Sequence, residues 1–116
     1  MKSFVLFLPH DPDRYNDLGE DDFMEIIKDY VGWVEDQTEK GVYKGGHKLV
    51  DGTGKNVTQT ATGIEVHDGP FTELAEVLGG LMVIEAADYD SAVAIAKTHP
   101  HLKHNKTIEI REIDDV

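Results

Sequence analysis

Three histidines, His99, His101 and His104, fall in one short stretch of the chain. Imidazole titrates near neutral pH and so suits acid–base work. The spacing His-x-His-x-x-His also offers ligands for zinc or nickel. The plainer account is that cationic side chains suit a helix C-terminus and that a loop histidine is solvated. A second candidate is Asp68, which opens the run Asp68-Gly69-Pro70-Phe71. Gly69 tolerates positive φ, and Pro70 fixes its own φ and disfavours the α region for Gly69. A carboxylate on such a turn can orient a ligand or an imidazole, or it can cap its own turn. His47 follows Gly45-Gly46; glycines in a strand often mark a bulge or the close approach of a ligand. It is a pocket candidate against an ordinary edge position. Trp33, with Phe23 and Tyr30, reads as core or dimer contact rather than a stacking platform.

Other chemistries are excluded by pattern. The chain has no cysteine, hence no disulfide, thiolate ligand or cysteine nucleophile. Gly79-Gly80 does not belong to a Gly-x-Gly-x-x-Gly run opening a helix, and Gly54-Lys55 is followed by Asn56, so neither phosphate loop is present. No Gly-x-Ser-x-Gly motif occurs. The acids between Asp11 and Glu39 lack calcium-loop spacing and read as a solvated face. No cofactor and no resident metal are expected.

The elements that must position these residues follow from periodicity. Ser3 to Leu8 is a continuous apolar run and reads as a buried strand. Pro9 to Gly19 reads as a polar loop. Phe23, Ile26, Ile27, Tyr30, Val31 and Val34 recur at helical spacing and predict a helix over about 20–40, stopped at Gly41. Val42 to Val50 predicts a second strand, Asp51 to Gly54 a hairpin-type turn, and Val57 to Val66 a third strand. The Asp68 turn leads to a short helical stretch near 72–77, and Leu81 to Ala86 reads as a fourth strand. A second helix is expected from about Asp90 to His99, capped by Asp88 or Asp90 and ended by Pro100. Thr107 to Ile113 alternates as a last strand.

With 116 residues the chain reads as one domain over 1–116, large enough to bury roughly two-thirds of its unfolded surface. Net charge is −12 and no Lys/Arg cluster exists, which argues against direct nucleic-acid binding. No apolar run approaches the ~18 residues of a membrane helix. Lys2 with Phe4–Leu8 is too short for a signal peptide, and acids follow at once. No membrane partner and a cytoplasmic location are expected.

Asp68-Gly69-Pro70-Phe71, then Thr72-Glu73, then Leu78-Gly79-Gly80 and an apolar strand, resembles the DGPF branch of the YCII-related family. Ile108-Glu109-Ile110-Arg111-Glu112-Ile113 resembles the branch's closing strand, and Lys2 to Pro9 its opening one. The resemblance implies a ferredoxin-like α+β fold that closes into a barrel by dimerisation. The element order agrees with the split β-α-β plan. A sheet covered by helices on one face needs a partner on the other, so a homodimer is expected.

In the broader family, a histidine on the first helix and an aspartate before a proline at the end of the second resemble an acid–base pair in a pocket. Here Tyr30 and His99 stand near those places, so the pattern is altered at both. A replacement set is His99 or His101 as base, Tyr30 as donor and Asp68 as orienter, with His47 and Phe71 against a small-molecule ligand. Relatives include lyase-type and dehydrochlorinating enzymes on hydroxylated aromatic compounds. DGPF relatives are also associated with extracytoplasmic-function sigma factors. Two readings follow: a cofactor-independent acid–base enzyme, and a non-catalytic ligand-binding or accessory module in transcription initiation, acting through protein contacts.

Overall fold

The computed structural model describes residues 1–11, 18–69, 77–105 and 107–115. In chain order its elements are β1 (Lys2–His10), α1 (Glu20–Glu39), β2 (Tyr43–Lys48), β3 (Lys55–Thr60), β4 (Gly63–Asp68), β5 (Val77–Ala86), α2 (Tyr89–Ala96), α3 (His101–Asn105) and β6 (Glu109–Glu112). A four-stranded antiparallel sheet runs in the order β2-β5-β1-β6, and β3 pairs with β4 in a separate ribbon. With the ribbon set aside, this is the ferredoxin-like arrangement, β-α-β-β-α-β with the first and third strands central.

The apolar run of β1 sorts by period two. Phe4, Leu6, Leu8 and His10 are buried, while Ser3, Val5, Phe7 and Pro9 are half-buried. Phe4, Leu6 and Leu8 meet Trp33 of α1, Ala92 and Ala96 of α2, and Ile84 and Ala86 of β5 in one core. Both long helices therefore cover one face. Val5 pairs with Val83 and Phe7 with Leu81 on the other. That face is apolar at its centre, and among the described residues no helix lies on it.

Local chemistry explains the element ends. Gly19 at the α1 N-cap offers no side-chain cap, and Glu20, Asp21 and Asp22 instead complement the helix dipole. Gly41, with φ 75°, follows the last turn. Asp88 accepts the Ser91 N–H at 2.8 Å and starts α2.

Four sequence expectations change. The stretch Val57–Val66 is not one strand but a ribbon folded at Ala61-Thr62, where Gly63 has φ 133° and Thr60 Oγ1 donates to the Gly63 carbonyl at 2.9 Å. Asp51–Gly54 consequently links two sheets rather than closing a hairpin. The strand expected to end at Leu8 runs on to His10, and its partner begins at Val77, because Leu78-Gly79-Gly80 is paired strand containing a bulge opposite Leu8/Pro9. The segment after Pro100 is a short helix, not a loop. The helical stretch expected near 72–77 falls mainly on residues 72–76, outside the described residues.

Candidate functional site

A cavity of about 350 Å³ lies between α1 and the helix-covered face of the sheet. Its apolar wall is built from the α1 face foreseen by periodicity: Phe23, Ile26, Ile27, Tyr30 and Val31. Leu8, Tyr43 and Met82 complete that wall, and His10, Lys48, Asp51 and His101 add polar groups. Helix α1 buries Trp33 and Gln37 and packs Val34 on the core, while Phe23, Ile27 and Val31 of the foreseen stripe stay exposed along the cavity. Gly46 keeps the floor close: a Cβ there would press on the Leu81 carbonyl and the Tyr43 hydroxyl.

His101 is fixed at both ring nitrogens. Nε2 lies 2.6 Å from the Pro9 carbonyl oxygen, and Nδ1 lies 2.7 Å from the Tyr30 hydroxyl. A carbonyl can only accept, so Nε2 carries the proton. In the neutral ring Nδ1 is then the acceptor, and Tyr30 donates to it. A hydroxyl on α1 and an imidazole on α3 thus form one hydrogen-bonded unit in the cavity wall.

His99 supports this unit from behind. Its Nδ1 accepts the His101 backbone N–H at 3.0 Å, so its Nε2 carries the proton and donates to Met82 Sδ at 3.3 Å. The ring is 2% exposed and packs on Trp33 at a centroid distance of 4.2 Å. Burial, with the nearby His101 adding to it, pushes the His99 imidazole down to about 4. At neutral pH His99 is an uncharged spacer. His104 joins α3 to α1 through Asp29 at 3.0 Å and stacks on Tyr30, with centroids 6.2 Å apart. The hydrogen bond from His104 holds the Asp29 carboxyl below its ordinary range.

The expected site residues therefore divide. Tyr30 and His101 meet in the cavity wall. His99 touches Tyr30 edge-on at 5.5 Å but lies behind the wall. His47 borders the cavity along β2, and its pairing with Leu81 sets it on the face opposite Gly46 and Met82. Asp68 is not brought to the cavity: it ends the ribbon, exposed, in an ion pair with Lys55. It orients no imidazole there. Phe71 lies outside the described residues. Among the described residues, no cluster of three or more His, Cys, Asp or Glu side chains is placed to hold a metal ion. No helix among them is long and apolar enough to cross a membrane.

His10, Lys48 and Asp51 went unread. The signal was available at His10: extending the alternation Phe4, Leu6, Leu8 by one step through Pro9 turns it inward. Reading Pro9 as the start of a loop cut that pattern short. Asp51 was absorbed into a turn motif, although its side chain crosses to β1.

Sheet order and helix placement define a ferredoxin-like α+β protein with a cavity between its first helix and sheet. The YCII-related domain model matches residues 3–116, and the chain belongs to that family. No curated protein matches it.

Proposed function

We propose that the protein is a cofactor-independent acid–base enzyme acting on a small hydroxylated or aromatic molecule, with Tyr30 and His101 as its proton-transfer unit. The observation that supports this is the Tyr30–His101–Pro9 relay in the wall of an apolar cavity. A substrate proton passes to the Tyr30 oxygen as the tyrosine proton passes to His101 Nδ1. The imidazolium so formed has Nε2–H on the Pro9 carbonyl and Nδ1–H on the Tyr30 oxygen, so both protons remain bonded. The reverse transfer delivers a proton to the product side. Phe23, Ile27 and Val31 of that wall are open to solvent, so an aromatic ring bound against them is what would exclude water from the relay and strengthen its hydrogen bonds. His99 and His104 hold the relay in place.

A second reading is a ligand-binding module that responds to the same cavity and acts through protein contacts in transcription initiation. The feature that favours it is the first helix, which carries no histidine and has the phenol of Tyr30 near the place where the resembled family carries an imidazole. Deuterium incorporation from D2O into catechol, hydroquinone and 4-hydroxybenzoate, followed by proton NMR, separates the two. The enzyme reading expects catalysed exchange that falls by roughly 10²-fold or more in Tyr30→Phe and in His101→Asn. Saturable binding without exchange in any probe sinks it in favour of the binding module.

The apolar face bearing Val5, Phe7, Leu81 and Val83 supports a homodimer in which two sheets pack face to face.

A further inference from the structure

The acid–base relay leaves the other polar end of the cavity unused. His10 is 7% exposed and reaches that end from the last position of β1. Asp51 Oδ1 accepts from His10 Nε2 at 3.1 Å and from Lys48 Nζ at 3.3 Å, and Lys48 also donates to the Leu49 carbonyl at 2.9 Å. The place is cleared for the imidazole. The β1–β5 ladder bulges at Leu8/Pro9, and a Cβ on Gly79 would overlap the His10 ring. Burying an imidazole beside an apolar wall costs desolvation that a leucine would not incur. Lys48 is in register with Gly80 and Leu8, so its side chain leaves β2 on the cavity face.

These groups have a consistent chemistry. Lys48 has three N–H donors, and its partners among the described residues use two of them. One Asp51 oxygen already takes two donors. A cationic ligand would compete with Lys48 and His10 for that carboxylate, whereas an anion meets donors. On a chain of net charge −12, Lys48 and Asp51 offset each other here and leave the remaining ammonium donor for a ligand.

We infer that Lys48, held by the His10–Asp51 pair, recognises the carboxylate of an aromatic acid whose ring lies against Phe23, Ile27 and Val31. This rests on the reading of the cavity as the ligand site and not on turnover there. The test compares 4-hydroxybenzoate, 4-hydroxybenzamide and 4-hydroxybenzylamine, nearly equal in shape and different in charge, by titration calorimetry on the full chain. The carboxylate is expected to bind at least roughly tenfold tighter than the amide, the worth of one charge-assisted hydrogen bond, with the amine weakest. Lys48→Met should erase that preference, His10→Gln should weaken it, and Tyr30→Phe should retain it. Equal affinity for acid and amide, no saturable binding of the acid, or an unchanged preference in Lys48→Met would each overturn the assignment and leave the trio as a loop tie. Loss of deuterium exchange with the preference intact would count against the relay alone.

Discussion

His99 illustrates how one buried side chain links structure to pH. Its imidazole is neutral in the fold down to about pH 4, whereas in the unfolded chain it binds a proton near pH 6.5. Between those values the unfolded state holds more protons, so stability falls as pH drops from about 6.5 towards about 4 and is recovered above that window. The full shift corresponds to up to about 3 kcal/mol. Urea unfolding of the wild type and of His99→Leu at pH 7 and pH 5 should show a markedly smaller pH slope in the variant. Equal slopes would place the acid sensitivity elsewhere. The residues themselves were half legible. His101 could be singled out because its type carries chemistry, and Tyr30 because the family resemblance put it near a histidine position. That His99 points away from the cavity depends on which ring nitrogen meets the His101 backbone, a fact of three dimensions. Asp68 looked informative because its turn is rigid, yet its surroundings are solvent and Lys55, which no local pattern announces.

At the level of elements, periodicity located the long helix and the central strands, and capping chemistry narrowed the start of α2 to Asp88 or Asp90, of which Asp88 is the cap. It missed the ribbon, because Thr60-Ala61-Thr62-Gly63 carries none of the usual paired turn residues and its strands alternate only weakly. It also missed how the bulge in β5 serves the cavity. Gly79→Ala should be penalised by about 1–3 kcal/mol, because the added Cβ drives into a buried ring. The penalty belongs to the pair and not to the glycine. In a His10→Ala background the same substitution should cost much less, and a double-mutant cycle from denaturant unfolding should give a coupling of about 1 kcal/mol or more. A coupling near zero would mean that the strand relaxes around the added methyl group without disturbing His10. Asp88→Ala, which removes only the α2 cap, should cost about 1 kcal/mol and leave 4-hydroxybenzoate binding unchanged.

The whole molecule is larger than its length requires. Its radius of gyration is 16.3 Å, where a compact chain of this length has about 13 Å, and its thinnest extent is 18 Å. The thinness reflects a sheet whose helices, among the described residues, lie on one side. The excess breadth is consistent with the β3–β4 ribbon, whose Val57, Ile64 and Val66 are exposed on one side. An isolated two-stranded ribbon is marginal in water, and a half-covered sheet leaves apolar area wet. Association through the sheet face would relieve the second cost, and would have to do so against the mutual repulsion of two chains of −12. The two terms respond oppositely to salt. If burial of Val5, Phe7, Leu81 and Val83 drives dimerisation, screening should tighten the dimer as ionic strength rises from about 0.01 M to 0.15 M. A dimer held by intermolecular ion pairs would loosen over the same range. Sedimentation velocity should therefore give a dimer whose dissociation constant falls with salt, and Val83→Lys should give a folded monomer by the same measurement, its fold checked by circular dichroism. A wild type that is monomeric at micromolar concentration across that range would remove the sheet-face dimer, and the exposed strand centre would then need another occupant.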